Sequence, residues 1–444
     1  MTAREDRLES WKEISAHLVR TTRTCQRWEA EYGLPVHRFD GSSRARVYAY
    51  KGELDDWFER TLRETEMREA GDRKRRRKWQ TAAEASVSRG KGSPGVAAPS
   101  PDPPAVSRSA VANKASRAGR NAMERFLATR NPADLAMAVE MFNKVREEDP
   151  ACPLSYLGLG DAYRWDYSFL GMRPDRLDLM TGNYARAYEL SPDLAETNIG
   201  LGWNRYFAGD TSGACEAFNR AVKIKPGDPD IDLEVGNFLI GLGHPDRAAH
   251  RFTKVLSSYP SLSRVLWLRA LCFEWMGDYE AALADGKTAL ELEPTSGYLR
   301  CMQARLMIHS GDLQEAETEL SLADTLSRGA GDVEFTKALF WAARGDWKKA
   351  EDALSRPARP TVLRSYIETM VLAALGDRDE TLDLIARTIE SGFPKLATHP
   401  YCYLYLANPN NHFYDPLRRD PRFLEILARQ KLRYEEESAR LGDL

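Results

Sequence analysis

Gly209-Asp210-Thr211-Ser212-Gly213-Ala214-Cys215-Glu216-Ala217-Phe218-Asn219-Arg220-Ala221-Val222-Lys223-Ile224-Lys225-Pro226 carries a pattern that the chain repeats. A Gly-Asp comes first, a small residue five positions on, a large apolar residue four further, and a proline at the end. Gly243-His244, Gly277-Asp278, Gly311-Asp312 and Gly345-Asp346 follow at successive spacings of 34 residues, and Gly376-Asp377 comes 31 later. The small position reads Ala214, Ala248, Ala282, Ala316, Ala350 and Thr381. The large one reads Phe218, Phe252, Leu320, Leu354 and Ile385, with Gly286 the exception. Pro226, Pro260 and Pro294 fall at one phase; Pro150 and Pro192 close two earlier units, after Ala138/Phe142 and Tyr184/Ala187. Each unit therefore reads as two antiparallel helices. The Gly-Asp turns the chain, the small residue lets the helices approach closely, and proline stops the second helix.

Working outward, this period resembles the tetratricopeptide repeat, whose pattern is matched best by Tyr156, Leu159, Gly160 and Tyr163 of the second unit. The resemblance implies a mainly α fold, an α-solenoid of seven to eight units over residues 120–393, about 60% of the chain, with an eight-residue insertion near Leu170–Pro174. Residues 394–444, with a charged helix starting at Asp420-Pro421, read as a capping segment. By the same resemblance the first helices line a concave groove. Its wall would hold Ile199, Trp203, Tyr206 and Phe207 in the third unit, Leu233 and Asn237 in the fourth, and Trp267 and Trp275 in the fifth. The family's carboxylate clamp needs Lys and Asn where Ile199 and Trp203 stand, so a hydrophobic peptide or amphipathic helix is the expected ligand. The same aromatics could instead pack between neighbouring helices, and the sequence leaves both readings open.

Upstream the composition changes. From Thr81 to Arg120 there is no aromatic residue, and Ala, Ser, Pro and Gly fill 26 of 40 positions. Residues 81–119 are therefore expected to be a disordered linker. Charge divides near the same point. Residues 1–120 hold 25 Lys+Arg against 17 Asp+Glu, a balance of +8; subtraction from the whole-chain 63 and 66 leaves −11 for the rest. A basic head suggests a polyanionic partner.

Within residues 1–60, Ser10 would cap a helix from Trp11 to Leu18 and a second would run from Thr22 to Tyr32, stopped by Gly33 and Pro35. Val36–Phe39 and Val47–Tyr50 read as a hairpin with a basic tip, followed by a helix burying Leu54, Trp57 and Phe58. That order is a winged helix-turn-helix. The string from Ser10-Trp11-Lys12 through Arg23-Thr24-Cys25-Gln26-Arg27-Trp28 to Glu53-Leu54-Asp55-Asp56-Trp57 resembles the excisionase/MerR-like heads that some bacterial proteins join to tetratricopeptide arrays. The resemblance implies that the second helix enters the major groove. Thr22, Arg23, Gln26 and Arg27 would then face the bases, with Arg38, Arg44 and Arg46 on adjacent backbone or groove. Trp11, Trp28, Trp57 and Cys25 are expected in the core. Residues 61–80 are expected to form a basic charged helix whose run Arg73–Lys78 is solvated or grazes DNA, with attraction to a membrane surface as the lesser alternative.

No phosphate-loop motif, G-x-S-x-G elbow, H-E-x-x-H or Cys/His ligand spacing occurs, so neither catalysis, a cofactor nor a metal is expected. The six cysteines lie far apart and read as buried small residues in a reducing compartment. No apolar run approaches a membrane span and the N-terminus lacks a secretory signal, so a cytoplasmic location is expected. The sequence thus points to a DNA-binding transcriptional regulator whose array binds a protein or self-associates. The alternative is an interaction scaffold whose head binds protein or is vestigial.

Overall fold

The computed structural model describes residues 6–18, 22–38, 46–57, 60, 109–129, 131–170, 173–326, 331–355, 362–390, 401–442 and 444. They fall in two compact units, residues 1–98 with 351–359 and residues 99–350 with 360–444. In the first unit the Glu13 N–H donates to the Ser10 hydroxyl at 3.2 Å, and the Glu13 carboxylate accepts the Glu9 N–H at 2.8 Å. This reciprocal cap starts α1 (Trp11–His17). α2 (Thr22–Tyr32) ends at Gly33, whose φ of 66° suits glycine. Strands β1 (Arg7–Leu8), β2 (His37–Arg38) and β3 (Val47–Tyr50) form an antiparallel sheet in the order β1-β3-β2, with Leu8 opposite Ala49 and His37 opposite Tyr48. Residues 51–57 form α3. Ile14, Leu18, Cys25, Trp28, Val47, Leu54 and Trp57 share one core, in which the Trp28 and Trp57 rings lie 5.6 Å apart and Trp11 packs at the edge. β1 is new relative to the sequence reading, because two residues carry no visible alternation. Phe39, Phe58 and the 61–80 segment lie outside the described residues.

The described residues from Ala110 to Glu390 form eight successive helix pairs, all in the second unit except residues 351–354, which are grouped with the first. They are α4 (Ala110–Thr129) with α5 (Pro132–Glu148), α6 (Pro153–Phe169) with α7 (Pro174–Leu190), and α8 (Ala195–Phe207) with α9 (Thr211–Ile224). Next come α10 (Pro229–Leu242) with α11 (Pro245–Ser258), α12 (Ser263–Met276) with α13 (Tyr279–Leu292), and α14 (Gly297–Ser310) with α15 (Leu313–Leu326). α16 (Gly331–Ala343) with α17 (Trp347–Leu354) and α18 (Val362–Ala374) with α19 (Arg378–Glu390) complete the row. The repeated turn does two jobs, the glycine ending one helix and, at Asp210, Asp278, Asp346 and Asp377, the aspartate capping the next. Gly243, at φ 83°, closes α10 by donating to the Ile240 carbonyl at 3.0 Å, and the His244 N–H donates to Leu239 at 2.8 Å. In the third pair the Asp210 carboxylate accepts the Gly213 N–H at 2.8 Å and so caps the second helix.

The small and large positions pack as the repeat requires. Ala214, Ala248, Ala282, Ala316, Ala350 and Thr381 are fully buried, and Phe218, Phe252 and Ile385 with them. Gly286 departs from the pattern because the Gln303 carboxamide of the next pair fills the space its side chain would need. At Gly202 an added methyl would stand 2.6 Å from the Phe218 ring, so the helices meet through bare backbone.

Two boundaries differ from expectation. α4 begins at Ala110, so residues 110–119 are array and not linker. Ala112, Ala115 and Ser116 are buried, and a methyl at Gly119 would meet the Phe142 ring at 2.9 Å. A composition read as flexible is here the small-residue face that close packing demands. The remainder of the proposed linker, 81–108, lies outside the described residues.

The tail is the second difference. Beyond α19, α20 (Tyr403–Ala407), a 3-10 turn (His412–Leu417) and α21 (Pro421–Leu441) do not simply cover the last pair. They run back along the row of Gly-Asp turns. Arg422 pairs with Asp379 at 2.8 Å in the eighth pair, and Asn410 donates to the Gly277 carbonyl at 3.1 Å in the fifth. In the fourth, Tyr434 donates to Asp246 at 2.8 Å and stacks 4.4 Å from His244. His244 replaces the usual turn Asp because this position receives an aromatic ring.

Candidate functional site

The residues expected to wall an open groove are packed. Ile199, Trp203, Tyr206, Phe207, Asn237, Trp267 and Trp275 are all buried, and Leu233 is half-buried. Trp203 has no exposed surface; its ring centroid lies 5.5 Å from Phe218, 5.7 Å from Tyr206 and 6.2 Å from Phe238. Trp267 meets Tyr298 at 5.6 Å, and Trp275 meets Tyr405 of α20 at 6.3 Å. The three tryptophans therefore sit in separate packing sites and do not share a cavity. The physical cause is curvature: the row of first helices winds until distant pairs touch. Arg264 of the fifth pair reaches Glu124 of the first (3.7 Å) and lies over the Trp165 ring of the second at 5.4 Å.

Where these helices meet, charge is buried in two clusters that the sequence reading did not single out. In the first, Arg164 of α6 is almost fully buried and held between the Trp165 and Trp203 rings, at 4.5 and 4.2 Å from their centroids. It donates to Glu234 of α10 at 2.8 Å; the Trp203 indole donates to the same carboxylate at 2.8 Å, and Asn237 to its other oxygen at 3.3 Å. Tyr184 donates to Asp161 at 2.7 Å. Burial raises the Asp161 carboxyl to about 6 despite Arg164. At Glu234 burial is outweighed by Arg164 and Arg264, which hold the carboxyl below its ordinary range.

The second cluster joins α12 to α14. Arg305 makes a bidentate pair with Glu274, both N···O distances being 2.7 Å, and neither side chain has appreciable exposure. His309, one turn further along α14, stacks 5.1 Å from Tyr279 and lies 3.7 Å from Glu274. Burial lowers its pKa from the ordinary 6.5 to about 4 in spite of Glu274, so at neutral pH it is uncharged. One signal in the sequence would have pointed here: Glu274 and Arg305 interrupt helices otherwise dominated by apolar residues.

These two shifts act on stability in opposite senses. At pH 5 the unfolded chain carries a proton on His309 and the folded one does not, so this group's contribution is present above pH 6.5 and lost as pH falls toward 4. The full loss is roughly 3 kcal/mol, from about 1.4 kcal/mol per pKa unit. Asp161 is protonated when folded and ionised when unfolded between 3.8 and about 6, so its contribution is present at acid pH and lost as pH rises through 6. Its side chain keeps 32% exposure, which screens the effect to about 1–2 kcal/mol. His309→Gln should therefore flatten or reverse the wild-type rise in stability between pH 4 and 6.5, and Asp161→Asn should steepen it. Denaturant unfolding across that range checks both; parallel curves for all three proteins would reject the assignment.

Of the seven head residues, Thr22, Gln26, Arg38 and Arg46 have described side chains. Gln26 and Arg46 are exposed. Thr22 instead donates to the Ser15 hydroxyl at 3.4 Å, and Arg38 is engaged by Glu29, with its second N–H at 3.0 Å. Arg44 and the side chains of Arg23 and Arg27 lie outside the described residues, although positions 23 and 27 are on α2.

The helix pairs form an α-solenoid of tetratricopeptide-like repeats. A tetratricopeptide-repeat family profile matches residues 236–298. Among curated proteins, cellulose synthase operon protein C of Pseudomonas fluorescens is 26% identical over 226 residues, 46% of this chain and 18% of that protein. Mouse interferon-induced protein with tetratricopeptide repeats 3 is 24% identical, over 43% of this chain and 46% of its own. The chain thus spans less than half the length of these relatives. Among solved structures, PilF of Pseudomonas aeruginosa is similar with a TM-score of 0.37 and 16% identity, over 50% of this chain and 98% of that one. A human IFIT1 dimer is similar with a TM-score of 0.46 and 16% identity, over 68% of each chain. Among the described residues no helix is long and apolar enough to cross a membrane.

Proposed function

We propose that the chain is a protein-interaction scaffold whose array receives a protein partner, with no catalytic role. The observation that supports this most is the array itself: successive helix pairs run from Ala110 to Glu390 and carry exposed apolar side chains on their second helices. Since the inner wall is filled by its own aromatics and ion pairs, the partner surface belongs on outward faces. Exposed apolar side chains such as Met137, Leu179 and Leu322 stand there on second helices. Photo-crosslinkers placed at these three positions in the full chain should yield adducts with one recurrent protein, and adducts absent from all three would reject the outward surface.

A second reading, favoured by the +8 balance of residues 1–120 and the exposure of Gln26 and Arg46, is that the head binds duplex DNA and the chain regulates transcription. Affinity of the full chain for random duplex should then fall steeply with salt, by about 0.9 log units per tenfold salt for each phosphate contacted. Arg23→Ala and Arg27→Ala should each weaken specific binding by roughly 1–3 kcal/mol. Absence of any salt-dependent binding would leave the scaffold reading alone.

A further inference from the structure

α21 uses one side to hold the array and leaves the other bare. Phe423, Ile426, Gln430, Glu437 and Leu441 are buried. On the opposite side Leu424 is 50% exposed and Leu432 59%, with exposed Ala428 midway between them. We propose that this face is a two-fold interface with a second copy of the same chain, the two α21 helices crossing antiparallel at Ala428.

The sequence of that face is self-complementary. In an antiparallel pair centred on Ala428, Leu424 meets the partner's Leu432, and Glu425 meets the partner's Lys431. The two-fold axis repeats both contacts, as an isologous interface requires. A parallel pair would instead set Glu425 against Glu425 and Lys431 against Lys431. The shape agrees with the charge. Pro421, Leu424, Glu425 and Ala428 are all exposed, and so are Ala428, Lys431, Leu432 and Glu435. Each set is spaced i, i+3, i+4, i+7, the hole that accepts one knob of a facing helix. The partner's Leu432 fits the first and the partner's Leu424 the second, while the small Ala428 at the crossing lets the helices come close. Lys431 already lies 3.8 Å from Glu435 of its own helix, so it stands between two carboxylates once the partner's Glu425 arrives. A hollow of about 350 Å³ beside the stripe, lined by Tyr403, Ala407 and Leu427 among others, widens the surface a second helix can cover.

Sedimentation equilibrium of the full chain over micromolar concentrations tests this. The wild type should be a dimer that dissociates on dilution. Leu424→Glu with Leu432→Glu should be monomeric and should melt where the wild type melts once diluted to monomer, since both side chains face water in a single chain. Glu425→Lys and Lys431→Glu should each weaken the dimer about tenfold, and the two together should restore it by re-forming the pair with reversed sign. A wild type that stays monomeric, or a dimer indifferent to the leucine changes, would overturn the proposal. So would failure of the double charge reversal to recover what the single ones lose, an outcome readable even if the leucine variant folds poorly.

Discussion

Trp203→Ala will cost the array about 3–5 kcal/mol of stability, the range for removing a large aromatic from a packed core. Three losses coincide there. The indole leaves a void among Tyr206, Phe207, Phe218 and Phe238, four rings whose centroids lie within 6.2 Å of its own. Glu234 loses a donor at 2.8 Å, and Arg164 loses one of the two rings that enclose it. Leu233→Ala, at a half-buried neighbouring position, should cost distinctly less. Thermal and denaturant melts of both variants measure the difference. An unchanged melt for Trp203→Ala would restore the groove reading, in which the ring faces a partner.

The contrast between that ring and its sequence context shows what could be read in advance. Gly209-Asp210 and its successors specify local geometry, a positive φ followed by a helix cap, so their spacing translated directly into helix pairs. Ser10 did the same for α1. Whether Trp203 faces outward or inward depends on how tightly successive pairs wind, a sum of small rotations that no single unit encodes. Carrying the family's concave positions onto this chain assumed an open winding. The contacts of Arg164 with Glu234 and of Arg264 with Glu124 show a closed one.

The tail and the last ten residues of the expected linker failed to read for a related reason. Asn408, Asn410 and Tyr434 belong to polar stretches that look like loop and surface, and their partners lie more than a hundred residues away in the chain. Only the anomaly of His244 in a turn that otherwise holds Asp hinted that something docks there. Ala112, Ala115 and Gly119 are equally ambiguous, since small residues serve both a flexible segment and a tight helix contact. Which one applies is decided by Phe142 across the interface.

Arg305→Met should be as damaging as the loss of Trp203, and its rescue identifies the cause. The guanidinium satisfies both oxygens of Glu274 in a site with almost no solvent exposure. Removing it strands a buried carboxylate, which typically costs about 3–5 kcal/mol. Adding Glu274→Leu removes the stranded charge as well, so the double variant should regain most of that loss although it has lost one more native side chain. The pH dependence should change too. In the wild type, burial and Arg305 keep His309 neutral against the pull of Glu274. Without Arg305 the Glu274 carboxylate, 3.7 Å away, favours the imidazolium, and the folded-state pKa of His309 should rise. A raised value adds stability that is present at acid pH and lost as pH climbs through it. The penalty of Arg305→Met should therefore be smaller at pH 5.5 than at pH 8, while the double variant shows no such relief. Equal penalties at both pH values, or a double variant worse than the single one, would mean that Arg305 acts through its packing on Tyr366 and not as the counter-charge of Glu274.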